Sequence, residues 1–183
     1  MRGGSGAWLT RGAAWMRKPS ARAGCADVPY HHGDLREALL AAAEQLLREQ
    51  GGPGGVTLRA CARRAGVSHA APQHHFRDLS DMLAERAARG FEGLSEALRA
   101  ALEQAGDDPQ ARFVAVARPY VGFARASGPM FRLMFRSDVL NAENASLRSA
   151  AVLTYAAMTD SVALQSGAPL VAAADLFERI RQP

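Results

Sequence analysis

Val56-Thr57-Leu58-Arg59-Ala60-Cys61-Ala62-Arg63-Arg64-Ala65-Gly66-Val67-Ser68-His69-Ala70-Ala71 is the stretch that decides the reading of this chain. Thr57 is placed to cap a short helix, because its hydroxyl can accept an orphan N–H of the first turn. Val56, Leu58, Cys61, Ala62 and Ala65 give that helix an apolar side, while Arg59, Arg63 and Arg64 give it a basic one. Gly66 closes the helix as a residue free to take positive φ, and Val67 plugs the corner that follows. Ser68 is placed to cap a third helix reaching about His75, with Pro72 expected to sharpen or distort that helix rather than prevent it. Small Ala62 and Ala65 let two short helices cross steeply, which is the geometry of a helix-turn-helix. The second helix of such a pair can lie in the major groove of DNA with its N-terminal residues toward base edges. Leu58, Ala62, Ala65, Gly66, Val67 and Phe76 form the expected core of this unit.

Working outward, Leu35, Leu39, Ala42, Ala43, Leu46 and Leu47 recur at helical spacing and predict a first helix from Gly33. Gly51-Gly52-Pro53-Gly54-Gly55 ends it. On the other side, Ser80 is the expected cap of a long fourth helix from Asp81 to about Gln104, with Met82, Leu83, Phe91, Leu94 and Leu98 along its stripe. Pro109 suits the start of the next helix, and Pro119 within it predicts a kink. Ser127-Gly128-Pro129 is a further break, before a short apolar helix from Met130 to Phe135. Two more helices are predicted, from Ala145 to Gln165 and from Pro169 to Arg181. No strand pattern or internal repeat interrupts this series, so the fold class is all-α.

The 183 residues are 48% hydrophobic, enough to fold and too few for a large multi-domain enzyme. The net charge of +4 is carried by residues 1–30, where Arg2, Arg11, Arg17, Lys18 and Arg22 stand against Asp27 alone. That tail is rich in Gly, Ser and Ala, and reads either as a disordered basic arm or as sequence upstream of a start near Met16. The informative charge is local. From Gln50 to Arg77 there are four arginines, Arg59, Arg63, Arg64 and Arg77, three histidines and no carboxylate. Such a segment attracts phosphate. No apolar run approaches the length of a membrane span, no secretory h-region stands out, and Cys25 and Cys61 make no ligand or redox pair, so a cytoplasmic location is expected.

These residues resemble the TetR family of transcriptional regulators. The resemblance rests on Ala65-Gly66-Val67-Ser68 and His75-Phe76, and residues 34–94 resemble that family's DNA-binding domain, with the helix-turn-helix at about 57–76. Tyr30-His31-His32-Gly33-Asp34-Leu35, Ser68-His69-Ala70-Ala71-Pro72 and Met130-Phe131-Arg132-Leu133-Met134-Phe135 are similar to the subgroup named for a Trp-His-Gly motif in its C-terminal domain. The resemblance implies a three-helix DNA-binding domain, followed over 95–183 by a helical ligand-binding and dimerisation domain. It implies that Thr57 caps its helix and meets phosphate, that Arg59 reaches phosphate or a base, and that Ser68, His69, Ala70 and Gln73 face the groove with His74 close by. His75 and Phe76 are expected to pack the third helix against the fourth. The function implied is a ligand-responsive repressor, acting as a homodimer on a palindromic double-stranded operator.

The sequence also departs from the family. Gln73 stands where Tyr is usual and Leu79 where Lys is usual, which removes two contacts to the DNA backbone. Gln73 can instead read adenine through its amide. No Trp-His-Gly motif occurs, both tryptophans, Trp8 and Trp15, precede the domain, and the resemblance fades after about Leu140. The expectation is therefore an incomplete C-terminal domain. Phe113, Tyr120, Phe123, Phe131, Met134 and Tyr155 are the residues expected to line a pocket for a small apolar effector, although a plain helical core accounts for them equally well. No metal or other cofactor is expected: His69 and His74 are poorly spaced for one helix face and no Cys or carboxylate completes a set. No catalytic triad, phosphate loop or carboxylate pair suggests an enzyme. The remaining alternative is a truncated or non-DNA-binding helical interaction protein.

Overall fold

A computed structural model describes residues 32–166 of the chain, with side chains described for residues 35–159. Those residues form six α-helices and two 3-10 turns, with no strand among them. The helices are α1 (His32–Gln50), α2 (Leu58–Ala65), α3 (Leu79–Ala105), α4 (Pro109–Ala126), α5 (Gly128–Met134) and α6 (Ala145–Ser166). The 3-10 turns cover Pro53–Gly55 and Ala71–His74. The N-terminal arm and the helix predicted over 169–181 lie outside the described residues. None of the described helices is long and apolar enough to cross a membrane.

Long α3, 27 residues, is the spine. α6, α4, α5 and α1 all pack on it, and α2 packs on α1. The stripe expected of this helix is the buried one: Met82, Leu83, Phe91, Leu94 and Leu98 all lie in the core. Its cap is not Ser80. Asp78 caps it, accepting from the Asp81 amide at 2.8 Å, and Ser80 donates its hydroxyl to the same carboxylate at 2.7 Å. A carboxylate is the stronger acceptor and also suits the positive end of the helix dipole.

Gly90 sits mid-helix, where a glycine costs helix stability. The reason lies in α5: a Cβ at Gly90 would stand 2.8 Å from Met134 Sδ and 3.2 Å from Met130 Cγ. The absence of a side chain lets α5 lie directly on α3. α6 is fastened by a buried polar group: the Thr154 hydroxyl lies 3.0 Å from the Phe91 carbonyl and 2.8 Å from that of Ala150. α4 begins at Pro109 under an Asp108 cap and continues through Pro119.

Three ion pairs hold α1 to α3. Arg36 meets Glu85 at 2.5 Å, Arg86 pairs with Glu44, and Arg89 pairs with Glu37. Glu85 and Arg86 are largely removed from solvent, which puts these pairs in the regime where losing one partner is costly. One hydrophobic cluster runs without interruption from Leu35 to Ala151, and α3 passes straight through the expected boundary at 94–95.

Candidate nucleic-acid interface

Local chemistry builds the corner after α2. Thr57 Oγ1 accepts the Ala60 amide at 3.0 Å, so the cap read from sequence is present. At the other end Gly66 takes φ 71°, the left-handed region that disfavours a Cβ. The Gly66 N–H reaches Arg63 O at 3.3 Å and the Val67 N–H reaches Ala62 O at 3.0 Å. These two bonds are the Schellman closure, and Val67 completes it by packing half-buried on the core. Ala62 and Cys61 are fully buried beneath the corner, Leu58 and Ala65 partly so. Burial pushes the Cys61 thiol up to about 11, which keeps it protonated and inert.

The segment beyond the corner corrects the expected third α-helix. Ser68 makes no side-chain cap, and the chain forms only the four-residue 3-10 turn Ala71–His74. Proline is the cause. Pro72 has no N–H to give the Ser68 carbonyl, and its ring would crowd that carbonyl in an α-helix. The Ser68 carbonyl instead takes the Ala71 amide at 3.1 Å, and the Ala70 carbonyl takes the Gln73 amide at 3.2 Å, the tighter three-residue pattern. Pro72 does more than end the helix: it is among the fully buried residues and anchors the turn to the core. Phe76 is buried next to it, with the Arg36 guanidinium 5.3 Å above its ring, while His75 is half-buried.

Thr57, Arg59, Ser68, His69, Ala70, Gln73 and His74 are all exposed. The structure thus separates two sets of the same short stretch, one turned inward and one outward. It also corrects the charge reading. Carboxylates absent from the segment arrive from neighbouring helices. Glu49 of α1 takes Arg64 in a two-pronged contact at 2.8 and 2.6 Å, with Gln45 adding a third bond at 3.3 Å. That contact holds the Glu49 carboxyl below its ordinary range and pushes the Arg64 guanidinium up. Arg77 reaches Asp81 at 3.2 Å. Arg59 and Arg63 are exposed and make no ion pair with any described residue. Arg63 was visible in the sequence as part of the basic side, one turn beyond Arg59, but its standing beside Arg59 follows only once Arg64 and Arg77 are occupied.

Among the six residues expected to line an effector pocket, the rings of Tyr120, Phe123 and Phe131 cluster, with Phe131 5.3 Å from Tyr120 and 6.5 Å from Phe123. Phe123 and Met134 are buried in the core. Phe113 borders a shallow groove on the outer side of α4, together with Val114 and Val121. Tyr120 and Phe131 border a different open groove, against the glycine-rich loop after α1. Tyr155 is half-buried beside Tyr120, and burial pushes its phenol up.

No family model matches the chain, and no curated protein matches it. Among solved structures, a protein with unknown function from Rhodococcus sp. RHA1 is similar to it, with 37% sequence identity and a TM-score of 0.64. The match covers 85% of this chain and 81% of that one. Identity at that level over that share of both chains is shared ancestry as well as shared fold, and the chain belongs to the same family as the Rhodococcus protein.

Proposed function

We propose that the protein is a DNA-binding transcriptional regulator of the TetR type. The observation that carries this reading is the division within residues 57–76. Every residue nominated to touch DNA is exposed, and the residues nominated to hold the corner are buried, half-buried or, at Gly66, in the left-handed conformation. Arg59 and Arg63 bring positive charge that no described carboxylate neutralises, which is what a phosphate backbone requires. Ser68, His69, Gln73 and His74 offer hydrogen-bonding groups to base edges. The reading extends to a cytoplasmic homodimeric repressor on a palindromic operator, with DNA occupancy set by a small ligand.

A second reading has its own support. Phe113, Val114 and Val121 are exposed along one side of α4, and such a row suits a protein partner better than solvent. Footprinting on the intergenic DNA next to the gene, with solution mass measured in parallel, separates the two. A two-fold symmetric footprint that weakens steeply with salt supports the regulator. Binding that is absent, or indifferent to salt, removes it.

A further inference from the structure

The glycine-rich loop after α1 faces α5 across an open groove of about 640 Å³. The loop is ordered by three bonds. Gln50 Nε2 donates to the Gly55 carbonyl at 3.3 Å, the Val56 amide donates to the Pro53 carbonyl at 3.0 Å, and Arg132 Nη2 donates to the Gly51 carbonyl at 2.5 Å. Gly52 and Gly54 look onto open space, so this wall is bare backbone. The opposite wall is aromatic. Phe131 lies edge-on to Tyr120 with centroids 5.3 Å apart, and tilted against Phe135 at 5.0 Å. Phe135 is left 39% exposed, although it also packs edge-on to Phe91 at 5.7 Å. A large apolar ring in that position is covered only in part by the protein's own atoms.

The charge of the groove is one-sided. Two arginines line it and no carboxylate does. They are not equivalent. Arg136 already spends its fork on Asp138, at 2.6 and 2.7 Å. Arg132 is exposed, makes no ion pair with any described residue, and has one donor on a backbone carbonyl, which leaves its charge and other donors available. A bare backbone wall, an aromatic wall and an available guanidinium at the rim define one chemical shape.

We propose that this groove binds a small planar aromatic carboxylate, its ring against Phe131 and Phe135 and its carboxylate on Arg132. Aromatic edges and faces favour a flat ring, and a guanidinium favours a carboxylate through paired charge-assisted bonds. A groove of this size holds a one- or two-ring molecule. The groove shares Tyr120 and Phe131 with the residues expected to line a pocket for an apolar effector, but its arginine rim calls for a charged ligand, and its test needs no DNA.

The test uses the full chain, without DNA, titrated by calorimetry and by amide NMR with 1-naphthylacetate and its neutral counterpart 1-naphthylacetamide. The expected result is saturable binding of the acid, about tenfold tighter than the amide, with amide shifts concentrated at Gly52, Gly54 and Gly55. Arg132→Gln should abolish the preference for the acid, Phe135→Ala should weaken both ligands, and Leu153→Ala, on the exposed side of α6, should change neither. Equal affinity for acid and amide, shifts centred away from the loop, or an unchanged preference in Arg132→Gln would each overturn the proposal, as would no binding at all. The NMR map of the unmodified chain decides the location even if Arg132→Gln loosens the loop.

Discussion

Asn144, in the turn before α6, donates its amide to Asp81 Oδ1 at 3.1 Å, across 63 positions of sequence. Asn141 donates to the same oxygen at 3.2 Å, and the Asn141 backbone amide donates to the Ser80 carbonyl at 3.2 Å. Arg77 reaches the same oxygen at 3.2 Å. The far half of the chain is thus pinned to the first turn of α3, next to the candidate interface.

This junction gives a pH dependence. Burial alone would raise the Asp81 carboxyl, but the bonds from Arg77, Asn144 and Asn141 outweigh it and hold it at about 2, below the ordinary 3.8. The unfolded chain binds the proton more readily, so the stabilisation is fully present above the ordinary value and is lost as pH falls toward the folded one. With solvent screening it is on the order of 1 kcal/mol. Urea titrations at a series of acidic pH values should show Asp81→Asn losing less stability than the parent chain between about pH 4 and 2. A parallel decline in the two would place the proton elsewhere.

The two ends of α2 should behave differently under substitution. Thr57→Ala removes the acceptor for the Ala60 amide and should cost about 1 kcal/mol, with Thr57→Ser close to the parent. At Gly66 nothing lies within 4 Å of an added Cβ, so Gly66→Ala should cost about 1 kcal/mol through backbone conformation alone. Chemical denaturation measures both, and a neutral Gly66→Ala would mean that the left-handed turn is not held in solution.

Gly90→Ala sets two effects against each other. The added methyl gains about 1 kcal/mol of helix propensity but meets Met134 Sδ at 2.8 Å, where overpacking costs about 1–3 kcal/mol. We expect net destabilisation of roughly 1 kcal/mol. In combination with Met134→Ala the two changes should be less than additive, because the second makes room for the first. Strict additivity would show that α5 does not lie on Gly90.

The arginines of the candidate interface should divide by their partners. If residues 57–76 meet DNA as proposed, Arg59→Gln and Arg63→Gln should each lower the slope of log affinity against log salt by about 1. Arg64→Gln should leave the slope nearly unchanged and lower thermal stability instead, since Arg64 is committed to Glu49. Equal slopes for all three variants would contradict the division.

What could be read from the sequence was what neighbouring residues settle among themselves. The Thr57 cap, the Gly66 closure, the break at Gly51–Gly55 and the buried stripe of α3 each depend on a few adjacent positions, and each is present. Pro72 gives a 3-10 turn where a sharpened or distorted helix is expected, because the turn also buries its ring, and that burial is not legible from adjacent residues. Asp78 and Ser80 both suit a cap and stand two residues apart, so sequence could not choose between them. Glu49 meeting Arg64, Asn144 meeting Asp81 and Phe131 meeting Tyr120 and Phe123 depend on how helices cross. No local pattern encodes that crossing.

Cys61 supplies an internal clock for the corner. Its thiol is fully buried under α2 and is held protonated, so a thiol reagent can reach it only when α2 lifts away from α1. In a Cys25→Ser chain, the rate of labelling would therefore report how often this unit opens, one event per modified molecule. Ligands, salt or substitutions elsewhere could then be ranked by whether they slow or hasten that opening, without any need to know what the exposed side of the corner touches.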